Sequence, residues 1–197
     1  MLWAELEDGE KIFGESLIGK SVKPISRIGC LPENPPALKN AIEAIKEADL
    51  IVLGPGSLYT SLLPNLLVPE IVEELLKNNS PKIYISNLMT QPGETDGLDV
   101  YQHIKSIEKQ LFNFGVNTRI FNAILSQGEF ERSSLIDYYR SRGAEPVICN
   151  KKKLITEGYF VLQAPLYSKR ITPTLRHDHR RLARAVMYLY RKIKKAN

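Results

Sequence analysis

The chain has 197 residues, 43% of them hydrophobic and 25% charged, with a formal net charge of +5. This composition suits one globular domain with a core and excludes a disordered or fibrous chain. Two distant cysteines, Cys30 and Cys149, exclude a disulfide framework and suggest a reducing compartment. No apolar run approaches the roughly 20 residues of a membrane helix, and the first ten residues are too polar for a signal peptide. A cytoplasmic location without membrane contact is therefore expected.

In chain order, Leu2 to Leu6, Asp8-Gly9 and Lys11 to Phe13 read as a β-hairpin closed by a type I′ turn. Val22 to Leu31 alternates around Ile25 and Ile28 as a further strand, and Pro32 to Pro36 breaks the chain. Ala41, Ile42, Ala44, Ile45 and Ala48 mark a helix over 37–48. The run 50–54 is apolar throughout, as in a strand covered on both faces. Val68 to Lys77 is a helix with Pro69 in its first turn, and Lys82 to Ser86 is a strand. The spacing predicts a helix over 99–112, a strand over 119–125 and a helix over 131–139. Short strands are expected at 147–148 and 159–162, and a helix at 178–194. This alternation predicts an α/β fold, a mostly parallel, Rossmann-like sheet with helices on both faces. A single domain over 1–197 accounts for it, with a hairpin where such folds normally open on a glycine-rich βα unit.

Ligands of such sheets lie outside the carboxyl ends of the strands. Two strand ends carry loop-forming polar residues. One is Gly54-Pro55-Gly56-Ser57-Leu58-Tyr59-Thr60-Ser61, whose glycines let backbone approach a ligand and whose hydroxyls sit where a helix start would attract phosphate. The spacing is neither a Walker loop nor GxGxxG, and a capped strand-to-helix turn explains it as well. The other loop is Asn87-Leu-Met-Thr-Gln-Pro-Gly-Glu-Thr95. His177, Asp178 and His179 lack the further ligands that a metal site needs, so a helix cap is the better reading there and no metal is expected. Glu94 has no second carboxylate beside it to make an acid–base pair.

Charge is uneven. Residues 169–197 hold ten Lys or Arg against one acid, the remainder 17 against 21. A basic tail suits nucleic acid or an acidic partner, but a solvated helix face explains most of it. Nucleic acid therefore ranks last among the partners.

The loops at 54–61 and 87–95, with Pro64 to Val68 and Arg176-His177-Asp178, resemble the gluconeogenesis factor family, related to the 2-phospho-L-lactate transferases. The resemblance spans nearly the whole chain and implies the C-terminal two-thirds of a family member, without the family's glycine-rich first segment. It implies a regulator of carbon flow and cell-wall precursor synthesis under gluconeogenic growth, without catalysis or cofactor. The ligand would be a UDP-sugar, with a dinucleotide as the alternative. Carried over by position, Gly54, Pro55, Gly56, Ser57, Tyr59, Thr60 and Ser61 form one wall of the site. Asn87, Thr90 and Gln91 form the adjacent wall, and Arg176 a diphosphate contact. The resemblance also admits a protein partner in amino-sugar synthesis and self-association. The alternatives are a phosphotransferase like the relatives and a module binding RNA or an acidic partner through its C-terminal helix.

Overall fold

The computed structural model describes residues 1–131, 133–168 and 174–196. Arg132, inside the helix predicted over 131–139, lies outside these residues, as do 169–173 and Asn197 of the basic tail.

The chain opens with an antiparallel sheet of β1 (Leu2–Leu6), β2 (Lys11–Phe13) and β3 (Ile25–Cys30) in the order β2-β1-β3. The hairpin is as predicted, but its turn is not type I′. That turn needs positive φ at both central residues, and only Gly9 has it, at 86°. The turn is instead a wider loop, closed by Leu6 N–H on the Glu10 carbonyl at 2.9 Å and Gly9 N–H on that of Leu6 at 3.0 Å. A short helix, α1 (Glu15–Ile18), stands between β2 and β3.

The body is a four-stranded parallel sheet of β4 (Ile51–Leu53), β5 (Lys82–Ile85), β6 (Ala123–Gln127) and β7 (Phe160–Ala164), adjacent in that order. Helices α2 (Lys39–Glu47), α3 (Pro69–Lys77), α4 (Val100–Phe112), α5 (Ser134–Arg140), α6 (Lys151–Thr156) and α7 (His179–Ala196) surround it. Alternate residues divide between two cores, because successive strand side chains point to opposite faces. Tyr84 and Ile124 join Ile104, Ile107 and Leu111 of α4. Ile83, Ile85, Ala123 and Leu125 meet Ala185, Leu189 and Ile193 of α7. Helices therefore cover both faces, as the alternation of elements requires.

Several local expectations differ from the fold. Val52 is 40% exposed, because β4 is an edge strand and is not covered on both faces. Residues 147–148 form no strand; Val147 N–H bonds the Leu88 carbonyl at 3.0 Å and ties a loop onto the 87–95 segment. β6 begins only at Ala123 and β7 only at Phe160. Helix α6 was not foreseen, since KKKLIT has too few turns for a period to show.

Candidate functional site at the carboxyl ends of β4 and β5

β4 ends at Leu53, and Gly54 follows with φ +93°. A Cβ on Gly54 would lie 2.5 Å from the Ile85 carbonyl oxygen, so only glycine lets the loop leave β4 this close to β5. Gly56 is less demanding, for its added Cβ would meet side chains alone, Leu62 at 3.1 Å and Ser61 at 3.5 Å. The chain then winds into a π-helical turn, Leu58–Leu62, and a 3₁₀ segment, Leu63–Leu67. Leu58, Leu62, Leu63, Leu66 and Leu67 are buried, which anchors this wall to the core on the α4 face.

The second loop leaves β5 at Ser86 and is hydrogen-bonded to the first. Gly56 N–H donates to Asn87 Oδ1 at 3.1 Å, and Asn87 Nδ2 donates back to the Gly56 carbonyl at 2.9 Å. Asn87 Nδ2 also reaches Gln91 Oε1 at 3.4 Å, and Gln91 Nε2 donates to Ser57 Oγ at 2.7 Å. Gly56, Ser57, Asn87 and Gln91 thus form one closed set of partners across the two strand ends. All four are half-buried, so they face the surface from a fixed position. Gln91 N–H in turn donates to Thr95 Oγ1 at 2.8 Å, holding the loop's own turn.

The expected phosphate position at the start of the helical turn is filled from within. Glu94, 7% exposed, accepts Tyr59 N–H on Oε2 at 3.2 Å and the Thr60 hydroxyl on Oε1 at 3.0 Å. A carboxylate here satisfies the orphan donors and the positive end of the turn. Burial raises the Glu94 carboxyl above its ordinary range, opposed by these hydrogen bonds. Glu94 is therefore committed to the turn, which is a structural role rather than a catalytic one.

The other predicted residues divide accordingly. Tyr59 is buried, with its hydroxyl 3.4 Å from Ser106 Oγ on α4, and Thr60 is turned to Glu94. Pro55 and Ser61 are exposed on the loop. Thr90 is buried and holds the loop between α5 and α6, accepting Glu145 N–H at 2.9 Å on Oγ1. Arg176 is exposed and donates from Nε to Thr174 Oγ1 at 3.1 Å; no bond joins it to either loop. Asp178 caps α7, accepting Arg180 and Arg181 N–H at 3.0 Å each, as the sequence suggests.

Two residues were missed. Ser86, fully buried at the end of β5, has an Oγ without a hydrogen-bond partner among the described residues. The His177 ring lies beside the Ser86 carbonyl, and its buried Nε2 has no partner among the described residues. Burial lowers the histidine below its ordinary value, so the ring is neutral near pH 7. Only tertiary structure reveals this pair, because 91 positions separate its members. Among the described residues, no group of three or more His, Cys, Asp or Glu is placed to hold a metal, and no helix is long and apolar enough to cross a membrane.

Comparison with known proteins gives the family of the chain. The family model described as 2-phospho-L-lactate transferase CofD matches residues 1–167. The gluconeogenesis factor of Halalkalibacterium halodurans is 40% identical over 193 residues, 95% of this chain and 56% of that protein. That of Bacillus subtilis is 38% identical over 183 residues, 93% of this chain and 56% of the relative. A crystal structure of a UPF0052 family member from Bacillus halodurans superposes with a TM-score of 0.86 at 39% identity, covering 94% of this chain and 58% of that one. The chain thus spans little more than half the length of these relatives. On its sequence and its fold, it belongs to the gluconeogenesis factor family, related to 2-phospho-L-lactate transferase CofD.

Proposed function

We propose that the chain binds a nucleotide-sugar, a UDP-sugar, in the cleft at the ends of β4 and β5, and acts as a regulator in gluconeogenic carbon metabolism. The observation that carries this reading is the hydrogen-bonded set Gly56, Ser57, Asn87 and Gln91. It holds two amides and a hydroxyl at the carboxyl end of a parallel sheet, where α/β folds take ligands. Neutral donors, with Arg176 as the cation nearest in sequence to the His177 contact, would hold the diphosphate. The helix start would not, since Glu94 occupies it. The name gluconeogenesis factor, given to relatives about 40% identical, supports the metabolic role. By the same reading, control of cell-wall precursor synthesis passes through a protein partner in amino-sugar synthesis.

Calorimetry of the 197-residue chain with UDP-N-acetylglucosamine tests this. Saturable heat, weakened in Arg176→Ala without loss of the folded state, is the expected result. Absence of heat at millimolar ligand would sink the nucleotide-sugar reading.

The CofD match favours one further reading, a phosphotransferase. Turnover of a guanylyl-activated phospho-hydroxy acid, from which the deazaflavin acceptor's hydroxyl displaces guanosine monophosphate, would replace the regulator with an enzyme. In that case His177 Nε2 and Ser86 Oγ are the groups to substitute first.

A further inference from the structure

The end of the sheet opposite the cleft carries an open groove of about 810 Å³, walled by the segments that lead into β6 and β7 and by the last turns of α7. Phe160, the first residue of β7, lines it. Its register partner Ala123 belongs to the core under α7, so the Phe160 ring points to that same face. β7 is an edge strand, and α7 is centred on β5 and β6, so the ring stays 46% exposed. Cations stand on both walls, Arg119 and Lys192, and no carboxylate lines the groove among the described residues. The Arg119 guanidinium lies against the bare backbone of Gly158, where a Cβ would come within 2.4 Å of Nη1, and 5.3 Å from the centre of the Tyr159 ring. Glycine at 158 therefore makes room for a guanidinium held at the groove without an acid. The acids of the neighbouring segments are engaged elsewhere. Glu157 and Glu108 both pair with Lys105, at 3.3 and 2.8 Å, and Glu108 also accepts the Tyr159 hydroxyl at 2.5 Å.

Helix α7 extends this surface. It holds seven Lys or Arg and no acid, and among the described residues its one ion pair joins Lys194 to Asp49 at 3.8 Å. Positions 181, 184, 188 and 192 fall on one side of a helix. Arg181, Arg184 and Tyr188 thus continue the line from Lys192 over ~16 Å. Tyr188 is 47% exposed, with Lys192 Nζ 5.7 Å from the centre of its ring, so this tyrosine is no part of a core. Cations that alternate with exposed rings suit a chain of phosphates carrying flat bases, because the cations take the phosphates and the rings stack on the bases. An acidic peptide would satisfy the cations and leave the rings unused.

We propose that this groove and the adjoining side of α7 bind single-stranded nucleic acid, with phosphates against Arg119, Lys192 and Arg184 and a base on Phe160. The groove and the cleft lie at opposite ends of the sheet, so the proposal does not depend on the nucleotide-sugar reading.

The test is fluorescence anisotropy of the chain with labelled uridine and thymidine oligonucleotides of about ten nucleotides. Saturable binding is expected, weakening about 50-fold between about 50 and about 200 mM salt if about four phosphates are held. The tighter of the two oligonucleotides identifies RNA or DNA as the occupant. Arg119→Gln and Lys192→Gln should each weaken binding and flatten its salt dependence. Phe160→Leu should weaken it at least fivefold with the salt dependence unchanged, which is the signature of stacking and not of charge. Lys77→Gln, which removes an exposed cation of α3, should bind as the natural chain does. The proposal is overturned by absence of saturable binding at the lower salt, by full affinity in Phe160→Leu, by equal weakening in Lys77→Gln and Lys192→Gln, or by polyglutamate displacing the oligonucleotide as well as polyuridylate does.

Discussion

Glu94 occupies the position that the 57–61 turn offers to an anion, and its burial makes the turn sensitive to pH. Burial raises the carboxyl in the folded chain above its unfolded value. Its favourable contribution is therefore present below the unfolded value and lost as pH rises through the folded one. Glu94→Gln is a neutral isostere of the protonated acid. The stability of the natural chain relative to this variant should fall as pH rises from about 4 to 7, and thermal melts of both proteins across that range measure it. A constant difference would contradict the account. Gly54 makes a second residue-scale claim. Its φ of +93° and the 2.5 Å approach of a Cβ to the Ile85 carbonyl make Gly54→Ala strained and overlapping at once. It should cost at least ~2 kcal/mol in denaturant unfolding. The sequence already marks both glycines of the loop, but not which is stricter. That depends on a strand 31 positions away, since β5 ends at Ile85.

Among the elements, α4 shows why some local structure is legible and some is not. Asp99 and Gln102 form a reciprocal cap, each side chain bonded to the other's backbone N–H at 2.8 Å. Its apolar stripe of Ile104, Ile107 and Leu111 is fully buried, and the predicted span 99–112 is one residue longer than the helix. Asp99→Ala should therefore cost about 1 kcal/mol in chemical denaturation, with the fold unchanged in the NMR spectrum. The Leu58–Leu67 region is the opposite case. LYTSLLPNLL offers no clean 3.6-residue period, and its π and 3₁₀ turns follow from Glu94 at one end and Pro64 within. Residues 147–148 look like a strand because they are apolar, yet they serve to pin the 87–95 loop through Leu88. Apolar pairs this short read the same in a strand and in a tethered loop.

At the scale of the molecule, α7 and α4 close the parallel sheet from opposite sides, and the two-residue alternation of β5 and β6 feeds both cores. The amphipathic pattern of 178–194 already shows which side of α7 is apolar. Leu189 is fully buried in that side, whereas Tyr188 is 47% exposed. Leu189→Ala should lower stability by about 2–5 kcal/mol, and Tyr188→Ala by less than ~1 kcal/mol, in the same denaturation series. The parallel sheet and the two loops at its carboxyl end could be read from the sequence. The buried carboxyl at Glu94 and the His177–Ser86 contact could not, because each depends on groups brought together from distant parts of the chain.

The central claim is that the Gly56–Asn87–Gln91–Ser57 set is the ligand-binding wall. It is tested most directly by titrating UDP-N-acetylglucosamine into Asn87→Ala and, as a control, into Asn65→Ala. Asn65 bonds the Ser61 and Leu62 carbonyls and takes no part in the set. The account predicts about tenfold weaker binding for Asn87→Ala, roughly 1.4 kcal/mol, and a change of less than about twofold for Asn65→Ala. Equal affinities for the two variants would contradict it.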